Sequence, residues 1–146
     1  MKVLALNRRA KFNFEIIEQF TAGINLLGAE VKAIREGKMS LAEAFCLFKK
    51  DGIYLINAHI GQYSKSSQKI DPYRERKLLL TNKEMENIKR LLAQKNLSLI
   101  PLKVLDKKGW IKMQIGIARK KKKKDKKEIL KQKAIEKEIK EELKYR

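Results

Sequence analysis

The run Arg119-Lys-Lys-Lys-Lys-Lys-Asp-Lys-Lys127 sets the first limit on what this chain can fold into. Eight of its nine residues are basic. Such a segment repels itself, has no apolar face to bury, and is expected to stay disordered until it meets a polyanion. Any compact domain must therefore be built before it. Residues 1–118 carry 22 Lys/Arg and 11 Asp/Glu, and residues 119–146 carry 14 and 6. The chain reads as a domain over 1–118 followed by a basic tail over 119–146. With 43% hydrophobic residues in the whole chain, a real core is available to the first part.

That first part has mainly the period of strands. Phe12, Phe14, Ile16 and Phe20 alternate with polar residues, and Ile17 breaks the pattern. Leu41–Phe48 and Ile53–Ile60 flank Asp51-Gly52, a hairpin signal. Leu97–Leu105 and Trp110–Ala118 flank Asp106-Lys-Lys-Gly109, a second one. In the last strand Ile111, Met113, Ile115 and Ile117 share one face, and Lys112 and Gln114 take the other. Two helices interrupt the strands. Leu26–Glu36 places Leu27, Val31 and Ile34 on one side and ends at Gly37. A second begins at Thr81, where Thr81 with Glu84 fits a capping box and Leu80 with Met85 a hydrophobic staple. The expected fold is mainly β with helices: a small antiparallel barrel with flanking helices. Beyond the lysine run, Ile129, Ile135, Ile139 and Leu143 fall on one side of an ideal helix, which predicts a tail that becomes helical when bound.

The net charge of +19 selects for polyanions: RNA, DNA or an acidic membrane surface. No apolar stretch is long enough to span a bilayer, and the apolar run at the N-terminus is too short for a signal peptide, so a cytoplasmic location is expected. One cysteine, Cys46, and one histidine, His59, cannot make a zinc site, an internal disulfide or a His-based triad with its partners. There is no phosphate-binding glycine loop and no outstanding carboxylate pair. Neither catalysis nor a cofactor or metal is expected.

Several groups can meet nucleic acid. Asn7, Arg8 and Arg9 offer an amide and two guanidinium forks to a base edge and to phosphates, or form a solvated basic end. Glu30, Lys32 and Arg35 share a helix, as a contact surface or as its wet face. Asn57 and His59 share a strand face with Ile53 and Leu55, and His59 can stack on a base or serve as a structural hydrogen-bonding residue. Arg74, Arg76 and Lys77 precede the second helix as phosphate ligands or solvated cations. Lysines contact phosphate and carry no base code, so the tail by itself reads no sequence.

These segments fall in the order of one family pattern. Asn7-Arg8-Arg9-Ala10, Ala22-Gly23-Ile24, Glu30-Val31-Lys32, Asn57-Ala58-His59-Ile60 with Tyr63, Asp71-Pro72-x-Arg74-x-Arg76-Lys77-Leu78-Leu79-Leu80, Pro101-Leu102 and Asp125-Lys126-Lys127 together resemble the SsrA-binding proteins (small protein B) of bacterial trans-translation. The resemblance implies an oligonucleotide-binding-like (OB-like) barrel. It implies a monomeric adaptor that binds the tRNA-like domain of transfer-messenger RNA and delivers it to stalled ribosomes, at the decoding region of the small subunit. There the tail, through Lys120, Lys121, Lys122, Lys123, Lys124, Asp125, Lys126, Lys127 and Ile129, would enter the vacant mRNA channel. The chain departs from the pattern at Lys120, where the family usually has glycine, at Gln62, often proline, and at Lys127, usually arginine. Lysine lacks the planar fork for bidentate contacts.

Overall fold

A computed structural model describes residues 2–67, 69–121 and 139. Strand β1 (Lys2–Leu6) leads into a short helix α1 (Arg8–Asn13), then the long strand β2 (Phe14–Ile24) and helix α2 (Gly28–Arg35). Short strands β3 (Met39–Ser40), β4 (Phe45–Lys49), β5 (Gly52–Ile56) and β6 (His59–Ile60) follow. Then come β7 (Arg76–Leu79), helix α3 (Asn82–Leu92) and the hairpin β8 (Leu97–Lys107) with β9 (Trp110–Lys120). Seven strands form one antiparallel sheet in the order β1-β8-β9-β2-β7-β5-β4, and β3 with β6 form a second. The large sheet is not closed by hydrogen bonds, but it curls until β4 lies against β8. The expected barrel is thus an open, barrel-like wall with β1 and β4 as its edges.

The core sits inside this curl. Met113, Ile115 and Ile117 of β9 are fully buried, as their alternation demands, with Val104, Leu78, Ile53 and Leu55 around them. Ile34 of α2 and Ile88 of α3 belong to the same buried cluster. Ala10 of α1 packs instead with Ile100, Leu102 and Ala118 in a small separate cluster.

Where local patterns break, the backbone explains it. Ile17 interrupts the alternation because the register of β2 against β9 shifts between Ile16 and Glu18, a bulge that leaves Ile17 exposed. Phe12 belongs to α1 and not to β2. The apolar run from Leu41 starts as a turn, with Ala44 N–H donating to the Leu41 carbonyl, and becomes strand only at Phe45. The expected strand Ile53–Ile60 breaks at Asn57, whose φ of 61° ends β5. Asparagine tolerates this left-handed conformation better than most residues. The phase reverses there: Ile53 and Leu55 are buried before it, Ala58 and Ile60 after it. Asn57 is exposed and does not share their face.

Helix α2 ends as Gly37 suggests, with φ of 80°. Gly37 N–H donates to Ile34 and Lys38 N–H to Ala33, the paired bonds of a Schellman ending. Its buried face is Glu30, Ala33 and Ile34, whereas Leu27, expected inside, is exposed. At α3, Thr81 Oγ1 accepts from Glu84 N–H at 3.1 Å and Glu84 Oε1 accepts from Thr81 N–H at 3.1 Å, so both halves of the capping box form.

Strand β9 continues past the charge boundary: Arg119 pairs with Glu15 and Lys120 with Phe14, and Lys121 N–H donates to the Asn13 carbonyl. Of the residues assigned to the tail, Arg119 and Lys120 therefore belong to the sheet. Lys122, Lys123, Lys124, Asp125, Lys126, Lys127 and Ile129 lie outside the described residues. Farther along, Ile139 is helical and 2% exposed.

Candidate nucleic-acid interface

The groups predicted to meet nucleic acid separate into a buried support and an exposed surface. The support is an ionic knot between α2 and the segment entering β7. Glu30 is 2% exposed and Arg76 is 0% exposed. Arg76 Nε donates to Glu30 Oε2 at 2.9 Å, Nη1 to the Ala58 carbonyl at 2.8 Å and Nη2 to the Pro72 carbonyl at 3.2 Å; Nη2 also reaches Glu30. Glu30 Oε1 accepts from Leu27 N–H at 2.9 Å and from Arg74, whose Nη2 also reaches the Asn25 carbonyl. The carboxylate thus meets two guanidinium groups and a backbone N–H.

Burial pushes the Glu30 carboxyl upward, but the bonds from Arg74, the Leu27 N–H and Arg76 outweigh it and hold the group below the usual carboxylate range. Burial likewise pulls the Arg76 guanidinium down, opposed by Glu30. Glu30 and Arg76 were expected on the contact surface. The structure puts both beneath it, because a buried charge is tolerated only when it is paired and hydrogen-bonded.

The Asp-Pro-x-Arg-x-Arg motif builds this knot. Asp71 Oδ1 accepts from Tyr73 N–H at 2.9 Å, and its carbonyl accepts from Arg74 N–H, a turn typical of aspartate. The Pro72 carbonyl takes the N–H of Ile60 as well as Arg76. One turn therefore ties α2, β6 and β7 together.

Above the knot lies the exposed surface. His59 and Tyr73 meet edge to face, with centroids 5.1 Å apart. Lys32 Nζ stands 5.4 Å from the Tyr63 ring centroid. Arg74 is about one-third exposed. Rings and cations held this way can stack on bases and contact phosphates. His59 and Lys32 were expected contact groups; Tyr63 entered only as a matched residue, and Tyr73 lies inside the Asp-Pro-x-Arg motif.

The remaining candidates are scattered. Asn7 is buried, and its Nδ2 donates to the Pro101 carbonyl at 2.8 Å, so its amide ties α1 to β8 and is not offered to a base. Arg8 and Arg9 are exposed, with Arg9 3.5 Å from Glu43. They rim an open cleft of about 320 Å³ floored by Leu6, Met39 and Leu41. Asn57 Nδ2 donates to the Glu43 carbonyl at 3.2 Å. Arg35 points to the β8–β9 turn, donating to Asp106 and to the Gly109 carbonyl. Lys77 lies on the outer sheet face, 3.8 Å from Asp51. Burial pushes the Cys46 thiol up to about 12, which disfavours the thiolate at neutral pH. Among the described residues no group of three His, Cys, Asp or Glu side chains could hold a metal ion, and no helix is long and apolar enough to cross a membrane.

The chain is similar to known proteins. Residues 4–145 match the family model described as SmpB protein. An SsrA-binding protein of Synechococcus sp. (strain JA-2-3B'a(2-13)) is 44% identical over 148 residues, covering 100% of this chain and 96% of its own. That of Mesoplasma florum is 43% identical, covering 98% and 97%. Among solved structures, a chain from "tmRNA-SmpB: a journey to the center of the bacterial ribosome" superposes with a TM-score of 0.66 at 41% identity, over 83% of this chain and 86% of that one.

Proposed function

The chain belongs to the SmpB protein family, and we propose that it is the RNA-binding adaptor of trans-translation: it binds the tRNA-like domain of transfer-messenger RNA and brings that RNA to stalled bacterial ribosomes. The observation that carries this reading is the match over residues 4–145 to a family whose members are SsrA-binding proteins. The protein performs no bond-making step of its own. It acts by shape and charge, as a single copy in the cytoplasm, where ribosomes work.

The division of the site supports a binding role. A shape-reading adaptor needs a rigid base under its contact groups, since ordering long side chains on binding costs affinity. The Glu30–Arg74–Arg76 knot supplies that rigidity, and His59, Tyr73, Lys32, Tyr63 and the outward part of Arg74 are the contact groups. The basic tail from Lys122 onward enters the messenger channel left vacant on a stalled ribosome, where its lysines meet ribosomal RNA and its apolar stripe forms a helix.

A gel-shift titration with transfer-messenger RNA and with a tRNA of similar size, at several salt concentrations, tests the proposal. Binding to both should weaken with salt. Transfer-messenger RNA should keep an advantage at every concentration. Equal affinity for the two RNAs at all salt levels would leave only a non-specific cationic protein.

A further inference from the structure

We propose that the tip of the β8–β9 hairpin is a stacking site for one unpaired nucleobase, with Trp110 as its platform; the proposal rests on the RNA-binding role above and adds a contact to it. Trp110 is the chain's one tryptophan and is 72% exposed. Among the described residues, the next most exposed large hydrophobics are Leu79 at 54% and Tyr73 at 52%. A ring so far out of the core contributes little to the fold, and leaving it in water forgoes the stabilisation that burial would give.

The backbone that carries the ring is also braced. Lys108 and Gly109 have φ of 52° and 86°, the signature of a tight two-residue turn, and Lys107 pairs directly with Trp110 across it. Asp106 Oδ1 accepts from Gly109 N–H at 2.9 Å. From α2, Arg35 Nη1 donates to Asp106 Oδ2 at 2.7 Å and Nη2 to the Gly109 carbonyl at 2.9 Å. The turn carrying the tryptophan is thus braced from outside the hairpin.

The charge around it has one sign. By strand register, Lys107 and Lys112 share the face of Trp110, and Lys108 occupies the turn. Asp106 is the hairpin's one acidic residue; it alternates to the other face, where Arg35 and Gly109 engage it. An exposed indole on a braced turn, with lysines beside it by strand register, fits a base on the ring and its flanking phosphates on the cations. An apolar protein pocket would have to desolvate three lysines to take the same ring, which disfavours it.

The single tryptophan makes the test direct. The full-length protein is titrated separately with the tRNA-like domain of transfer-messenger RNA, with small ribosomal subunits and with phosphatidylglycerol vesicles, while indole fluorescence is followed. Quenching by either RNA-bearing partner is expected, and the partner that quenches identifies the source of the base. Trp110→Phe should keep affinity within a few-fold. Trp110→Ala should lose roughly 5- to 150-fold, with the salt dependence of binding unchanged, because stacking releases no counterions. Circular dichroism of both variants checks that the hairpin stays folded. Unchanged fluorescence at full saturation with both partners, or wild-type affinity of Trp110→Ala, would overturn the proposal. So would quenching by vesicles alone. A protein that binds neither partner overturns the RNA-binding role itself, an outcome separable from tight binding without quenching.

Discussion

Arg76 is fully buried, and among the described residues the carboxylate it bonds is Glu30. Breaking a buried pair costs about 3–5 kcal/mol, and because Glu30 keeps Arg74 and the Leu27 N–H as partners, the loss on removing Arg76 belongs at the lower end of that range. Arg76→Met should therefore lower the urea midpoint by an amount matching that loss, a large share of a small domain's stability. Arg74 is partly solvated, so Arg74→Ala should cost less stability while weakening RNA binding and reducing its salt slope. An equal loss of stability in both variants would refute this ranking. Glu30 adds a pH signature. Its folded-state carboxyl lies below the usual range, so its contribution is present above the unfolded value, about 4.3, and is lost as pH falls through the folded one. Denaturant melts of the wild type should show stability dropping in that acid window, and Glu30→Gln should be weaker at neutral pH and flatter below it. The sequence displayed these charges but not their depth. Two arginines spaced i, i+2 lie on one side of an extended chain and can both reach a single carboxylate, yet whether that side faces water is decided by α2 packing across the sheet.

At the scale of elements, what was legible depended on whether the signal was local. The α3 capping box is complete within four residues and was readable as such. Thr81→Ala should cost about 1 kcal/mol, seen as a lower thermal midpoint, while Thr81→Ser should cost much less. The Gly37 ending of α2 was readable for the same reason. The two β hairpins were found, although the first turn lies at Lys50-Asp51, with Gly52 already paired to Lys49. Period-two alternation failed where the backbone adds or reverses a step: the bulge at Ile17 and the left-handed Asn57. In the first case the exception in the pattern was itself the clue. In the second, asparagine permitted the reversal without announcing it. Helix α2 misled in another way. Leu27, Val31 and Ile34 make a plausible apolar stripe, but the buried face turns toward Glu30 because the paired arginines make that carboxylate an interior residue.

For the whole molecule, the charge boundary expected at Arg119 falls inside strand β9. Arg119 and Lys120 pair with β2, and Lys121 is tied to Asn13. A chain cut after Lys121 keeps those pairs; one cut after Ala118 loses the end of β9. The shorter deletion, of residues 122–146, should therefore leave the domain folded and its affinity for the tRNA-like domain largely intact, while abolishing tagging on stalled ribosomes. Its cost in stability should include at least the burial of Ile139, which is 2% exposed, about 1.5–3 kcal/mol. Deleting 119–146 should cost more, because it also strips paired strand residues that close the sheet against Phe14 and Glu15. Thermal melts, a gel shift with the isolated RNA domain and a tagging assay on the two truncations separate these effects. If the cut after Lys121 abolished binding to isolated RNA, the tail and not the sheet would hold the RNA, and the separation between a rigid RNA-binding domain and a ribosome-probing tail would have to be given up.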